Sequence, residues 1–418
     1  MELTITIILG LFFAAWLALI WHHRRVLHAL WREPVLRRPV LIIESDDWGP
    51  GPKSDAQQLH RIAQLLARHR DSRGHTAVMT LGMVLAVPDT QRIRSENYQC
   101  YHRVLLVPQR FPALREVMQC GVSSGVFALQ LHGMEHYWPP ALMMAARADA
   151  SIQGWLEGDD LPRTEELPSH LQSRWIDAAT LPSQSIGEAE IKAAVREEVD
   201  TFTSLFGQPP RVVVPPTFVW NETVERAWAT AGVEVIVTPG QRYEARDQGG
   251  MLVAGGGLIR NGDLGMGEVR YVVRDDYFEP ALGHAAEKGW AALRMKSRAG
   301  RPTLLETHRF NFSGDPDVAE AAIHELDRLL AGALERFPGM MFLSTEQLVR
   351  RMCAADAELV ETGMMRKMGV WLLRLREVPR LYKLAWLTGV IVPASLLFFV
   401  TRLFRADTSV KSAVPAAG

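Results

Sequence analysis

Cysteine is nearly absent: Cys100, Cys120 and Cys353 are the only thiols, scattered through 418 residues. Three unclustered cysteines exclude a disulfide-stapled scaffold and a thiolate-based zinc site. Charge of one sign is also lacking. A net charge of −1 leaves no global basic field, so nucleic acid is not an expected partner. No internal repeat is visible. The glycine-rich stretch 249–267 lacks the lysine and spacing of a phosphate loop, and reads as turns between strands. The length exceeds one small domain and suits a barrel-sized domain with additions.

Charge is missing locally as well. Residues 4–21 and 384–401 are two runs of 18 without a charged side chain. That length is near the lower limit for crossing ~30 Å of hydrocarbon. Only Glu2 precedes the first run, and no small-residue cleavage site follows, which favours a retained anchor over a signal peptide. Pro393, in the middle of the second run, is better tolerated in a membrane helix than in a buried soluble one. The expectation is a transmembrane anchor over 1–22 and a transmembrane helix over 384–403. Arg24, Arg25, Arg32, Arg37 and Arg38 follow the first run, and Arg366, Lys367, Arg374, Arg376, Arg380 and Lys383 precede the second. By the positive-inside rule the intervening domain faces the cytoplasm from a bacterial inner membrane. Arg402, Arg405 and Lys411 oppose that orientation, so a periplasmic domain is the alternative.

Between these runs the chain divides into a basic connector (23–38), an α/β domain (39–350) and a basic helical segment (351–383), with a tail over 404–418. Short apolar runs predict strands at 39–45, 76–81, 126–132, 211–215, 233–238, 268–273, 303–308 and 341–344. Helical periodicity predicts helices over 188–206, with a capping box from Ser185 and Glu188, and over 318–337, ending before Pro338-Gly339. Such alternation argues for a (β/α) barrel. The mixed stretch 138–185 reads as a loop insertion over the site. The apolar and basic residues of 364–378 recur at helical spacing, which fits either a helix on a membrane surface or ordinary packing.

Chemistry concentrates at strand ends, where α/β folds bind ligands. The first strand runs into Asp46 and Asp47. Adjacent side chains point in different directions, so one can hold a metal while the other handles a proton. His132 and His136 are spaced so that both imidazoles can face one ion, and one carboxylate more completes a three-ligand site with an open position. His308 ends another strand and can protonate a leaving group near neutral pH. Arg309 and Asn311 follow it and can orient a substrate.

The order of these segments resembles the polysaccharide deacetylase superfamily, the NodB-homology or carbohydrate esterase 4-like group. Its Thr-Phe-Asp-Asp-Gly motif is matched by Glu44-Ser45-Asp46-Asp47-Trp48-Gly49 with an inserted Trp, and its His-x-x-x-His motif by His132 and His136. Its third motif is matched by Val214-Pro215-Pro216-Thr217 with Trp220, but the arginine beside the prolines is missing and Arg211 lies four residues before Pro215. Arg274 or Arg309 is the candidate substitute. Its last motif, Leu-x-His, is loosely matched by Glu306-Thr307-His308. The resemblance spans about 39–350 and implies a distorted (β/α)7-type barrel, flanked here by the two apolar runs. It implies that Asp47, His132 and His136 hold a divalent metal, most commonly zinc. It also implies that Asp46 is the general base and His308 the general acid. Trp48, Pro216, Trp220, Arg309 and Asn311 become the candidate carbohydrate contacts. The activity implied is removal of an N-acyl group from a carbohydrate; a cytoplasmic, membrane-anchored domain favours a lipid-linked sugar over a finished polysaccharide. Two alternatives stay open: a glycosidase using Asp46 with Glu306, and an inactive glycan-binding scaffold at the membrane.

Overall fold

The protein is described by a computed structural model covering residues 2–158 and 160–406; the tail beyond 406 lies outside the described residues. The chain forms two compact units, Pro39–Arg294 with Pro302–Arg350, and the two ends together with Met295–Arg301.

The larger unit is built on parallel strands: β1 (Val40–Trp48), β2 (Met79–Met83), β3 (Phe127–Leu131), β4 (Val212–Val213), β5 (Val235–Thr238), β6 (Arg270–Val273), β7 (Asp276–Tyr277), β8 (Thr303–His308) and β9 (Met341–Phe342). Their order is β6-β5-β4-β3-β2-β1-β8-β7, with β9 beside the start of β1. The edge strands β6 and β7 are separated in the chain only by Arg274 and Asp275, so one broken strand pairs with β5 through its first half and with β8 through its second. Counted as one, β6 and β7 leave seven strands around the site and β9 outside that set. Amphipathic helices such as Lys53–Arg68 and Pro316–Arg336 cover the sheet, burying Leu59, Ile62 and Leu66 from the first and Leu326, Leu329 and Leu330 from the second. Strands covered this way must be apolar along most of their length, as Leu41, Ile42 and Ile43 are.

Several boundaries differ from the sequence expectation for identifiable reasons. The expected strand at 211–215 shrinks to Val212–Val213 because Pro215 and Pro216 have no N–H to continue the ladder. The helix Glu188–Phe206 is capped through Glu190, whose carboxylate accepts from the Gly187 N–H at 3.2 Å, so the pair Ser185 and Glu188 is corrected. The insertion expected as a loop carries two helices, Pro139–Ala148 and Ala150–Gly158, which bury Leu142, Ile152 and Leu156 in a small apolar cluster with Ile93 and Tyr137.

The smaller unit contains a helix over Glu2–Arg32, which runs straight through most of the expected connector. Helix Met364–Arg374 packs here through Arg374, whose buried guanidinium donates to the carbonyls of Ala299, Glu33 and Pro34 at 2.9 Å each. Arg301 forms a bidentate pair with Glu33 at 2.7 Å per bond. The run expected as a single span over 384–403 is two helices, Pro379–Leu387 and Ile391–Ala406. They bend by 109° between their apolar parts, at a break where Gly389 takes φ +71. Pro393 therefore sits in a first turn, where its missing N–H costs nothing. Among the described residues no single helix is long and apolar enough to cross a membrane; this bent pair passes by length and composition.

Candidate metal centre

The two aspartates share one mouth because β1 is irregular at its end. Between Ser45 and Trp48 the β1–β2 register shifts, with one more residue on β1, and Asp47 takes φ 69. A bulge re-aims side chains that would otherwise alternate across the sheet, and an aspartate tolerates the left-handed region better than most residues. Arg309 braces this turn. It pairs with the buried Asp55 at 3.0 Å and donates to the carbonyls of Asp47 and Pro50 at 3.4 Å each.

The Asp47 Oδ1 lies 3.4 Å from His132 Nε2 and 3.5 Å from His136 Nε2. Those separations are long for a hydrogen bond. They fit ligands about 2.0–2.1 Å from a shared tetrahedral ion, which stand about 3.4 Å apart. The donor chemistry fits as well. His132 Nδ1 donates to the Val214 carbonyl at 2.8 Å, which leaves the Nε2 lone pair facing Asp47. Asp47 Oδ1 is buried without a hydrogen-bond partner, as is His136 Nδ1. Burial pushes His136 down to about 4 against the pull of Asp47, which keeps the imidazole neutral. Burial would raise Asp47, but His136 and His132 hold it far below the usual carboxylate range. His132 moves up, because Asp46 and Asp47 outweigh its burial. A cation bound here competes with a proton for His132 Nε2, so binding weakens at low pH.

Asp46 stands beside His308 in the β1–β8 ladder. Its Oδ2 accepts from Arg274 at 2.6 Å, while Oδ1 is buried without a partner. Gly82 on β2 makes room for it: a Cβ there would lie 2.2 Å from Asp46 Oδ1. Arg274 also donates to Glu44 at 2.8 Å and lies 3.1 Å from Glu306, the latter at an angle too poor for a hydrogen bond. Burial pushes Glu44 and Glu306 up in spite of Arg274. For Asp46, burial is outweighed by Arg274 and His132, and the net direction is down. Of the three carboxylates, Asp46 is the one shifted toward the ionised form.

His308 Nδ1 bonds Glu279 Oε1 at 2.6 Å, and Glu279 is held in turn by the side chain of Asn311. Burial lowers His308, but the Glu279 bond and the charge of Asp47 outweigh it and push it up to about 10. At neutral pH that shift holds it as an imidazolium.

Among the expected carbohydrate contacts, the structure removes several. Trp48 and Trp220 are fully buried; their indole N–H groups donate to Ser45 at 2.9 Å and Glu225 at 3.0 Å, so neither ring offers a face to a ligand. Asn311 is fully buried as the support of Glu279, and Arg309 is committed to the β1 turn. Pro216 is buried beside Gly133, next to the His132 turn. Of the two arginines the sequence offered, Arg274 lies beside Asp46, at 2.6 Å, and Arg309 beside Asp55, at 3.0 Å.

Other supports carried no legible signal. Glu135, between the two histidines, accepts from the buried Arg174 at 2.5 Å. Arg174 also donates to Glu198 at 3.2 Å, and Glu198 accepts from the Met134 N–H at 3.2 Å. The insertion reaches the site through Glu165, which burial and the charge of Asp47 push up.

Comparison with known proteins gives partial matches. The glycosyl hydrolase family 57 pattern matches residues 175–286. No curated protein matches the chain. Among solved structures, a family 4 carbohydrate esterase from Streptomyces lividans is 12% identical, with a TM-score of 0.31 over 71% of this chain and 90% of its own. A peptidoglycan deacetylase from Bacillus subtilis is 12% identical, with a TM-score of 0.35 over 78% and 96%. A 4-alpha-glucanotransferase from Thermococcus litoralis is 9% identical, with a TM-score of 0.39 over 88% and 48%. At these scores none assigns an activity to this chain.

Replacing Arg174 by Met leaves Glu198 buried without its cation and Glu135 with Arg103 alone, 2.8 Å away. The expected loss is about 3–5 kcal/mol of unfolding free energy, together with weaker metal binding, read by denaturant titration and by zinc titration of the folded fraction. Unchanged metal affinity would show that the histidine turn holds itself.

Proposed function

We propose that the α/β unit is a metal-dependent hydrolase that removes an N-acyl group from a carbohydrate. The observation that carries this reading is the convergence of Asp47, His132 and His136 at 3.4–3.5 Å contacts, with unpartnered polar atoms and an ionised Asp46 alongside. A divalent cation such as zinc, held by those three, would polarise a carbonyl and make water more acidic. Asp46 is the general base, kept ionised by Arg274 and free to accept at Oδ1. His308 is the general acid for the departing amine, kept protonated by Glu279. The two groups start on neighbouring strands with opposite proton loads, as a base and an acid in one amide hydrolysis must.

A second reading is a glycosidase that uses Asp46 and Glu306, supported by the partial glycosyl hydrolase family 57 match. Both carboxylates are turned onto Arg274, which favours the first reading. Attachment to a bacterial inner membrane, with the α/β unit cytoplasmic or alternatively periplasmic, is supported by the exposed Leu11, Phe13, Leu17 and Trp21 of the first helix. A lipid-linked sugar remains the preferred substrate in the cytoplasmic case.

Metal analysis of the purified full chain tests the ligand set. Asp47→Ala and His132→Ala are expected to lose bound metal and activity together, and a chelator to abolish acetate or formate release from N-acylated sugars. Full occupancy in either variant, or chelator-resistant cleavage of a glycosidic bond, would overturn the reading.

Asp46→Asn is expected to keep the metal and lose turnover by ~100-fold or more, the scale of a lost general base. Near-normal turnover, measured by released acid, would remove Asp46 from that role.

Glu279→Gln removes the group that raises His308. The imidazolium then titrates at lower pH, so the alkaline limb of the kcat profile is expected to move down by more than one unit. The same change gives up stability that is complete below the unfolded histidine value near 6.5 and is lost as pH rises toward about 10. An unmoved alkaline limb would assign that limb to another group.

A further inference from the structure

The smaller unit carries two adjoining cavities of opposite character. One, of about 300 Å³, is lined by Leu372, Leu381, Ala385, Trp386 and Ile391 among other apolar side chains. The other, of about 330 Å³, is lined by Arg298, Arg366 and Arg376. They share Leu373, Arg376 and Phe398, and no acidic side chain lines either one. Both volumes fall at the low end of small-ligand pockets, ~300–1,000 Å³.

The charge of this place is fixed by its neighbours. Arg366 is paired with the buried Glu361 at 3.1 Å, so its guanidinium is held at the wall. Arg376 is exposed and lies over the Tyr382 ring at 5.9 Å, and Arg298 is exposed on the segment Met295–Arg301. Gly369 allows the close approach that shapes the cationic cavity: a Cβ there would lie 2.5 Å from Thr401 Oγ1. Around the apolar cavity the same bent helices expose Trp386, Leu387, Leu396 and Phe399.

We infer that this double cavity binds the phosphate headgroup and first chain carbons of an anionic lipid. The arginines meet the phosphate and the apolar slot takes the adjoining chain. Charge complementarity selects an anion, since the exposed Arg298 and Arg376 meet the Glu361-paired Arg366 at one cavity that no carboxylate lines. The apolar slot beside it selects an anion that carries a hydrocarbon chain. Exposed apolar side chains around the mouth select a ligand delivered from a bilayer. Guanidinium is well suited to the headgroup because its planar fork donates two parallel bonds to a phosphate. The site does not depend on the hydrolytic reading of the α/β unit.

Trp386 lines the slot and supplies the readout. The full chain, purified in neutral detergent, is titrated with phosphatidic acid brominated in its acyl chains. Saturable quenching of tryptophan fluorescence is expected, with that component lost in Trp386→Phe. Arg298→Gln and Arg376→Gln are each expected to weaken binding roughly fivefold, the scale of one basic residue near an anionic surface, while Arg376→Lys restores much of it. Thermal melting of each variant checks that both exposed positions leave the fold intact. Brominated phosphatidylcholine quenching with the same affinity would overturn the inference, as would full competition by equimolar inorganic phosphate. Unchanged affinity in the double glutamine variant would overturn it too. Self-association abolished by the same substitutions would assign the surface to a second copy instead.

Discussion

Three carboxylates, Glu44, Asp46 and Glu306, are buried around the Arg274 guanidinium, and the chemistry of the site depends on that arrangement. Without Arg274, burial would drive all three toward the neutral acid, and Asp46 would lose the ionised form that its proposed role as base needs. Removing one partner from a buried ion cluster costs about 3–5 kcal/mol. The arginine is therefore structural and electrostatic at once. Its position also follows from topology. It stands where the strand between β6 and β7 breaks, at the point where the chain passes from one edge of the sheet to the other.

The same logic separates the two histidine environments. His136 is buried against Asp47 with an unpartnered Nδ1, and burial drives it toward the neutral ligand form. His308 faces Glu279, whose carboxylate drives it toward the charged acid form. One residue type is thus placed in two roles by the nearest carboxylate and the depth of burial. The indirect supports, Asn311 behind Glu279 and Arg174 behind Glu135, hold these distances rigid.

Much of the fold was legible because strands covered on both faces must be largely apolar, and β1, β3 and β8 carry such runs leading to Asp46 and Asp47, His132 and His308. The Asp and His positions that meet at the mouth were legible for the same reason. The supports were not. Glu279 lies 29 residues from His308, and Arg174 lies 39 from Glu135; no local pattern links such pairs, because a side-chain bond between distant segments leaves no periodic trace. Trp48 and Trp220 misled in the opposite direction. An aromatic beside a motif suggests a sugar platform, yet a single hydrogen bond from the indole N–H lets the ring enter the core at no polar cost. The bent helices at 379–406 misled because hydropathy reports composition, whereas Gly389 in the left-handed region decides direction.

Several departures from local rules meet at the site. The β1 bulge, the positive φ of Asp47, and the unpartnered Asp46 Oδ1, Asp47 Oδ1 and His136 Nδ1 occur within one mouth. Each is unfavourable by itself: a buried polar atom without a partner costs about 1–3 kcal/mol, and a left-handed non-glycine residue about 1–2 kcal/mol. The surroundings spend further buried charge to keep them in place, through Arg309 and Asp55 at the turn and Gly82 under Asp46. A folded core has no use for such a set, since an apolar strand end would be more stable. Their meeting at the residues proposed for acid, base and ligand chemistry is what an active centre would require, because strain held by rigid neighbours keeps reactive groups in one geometry.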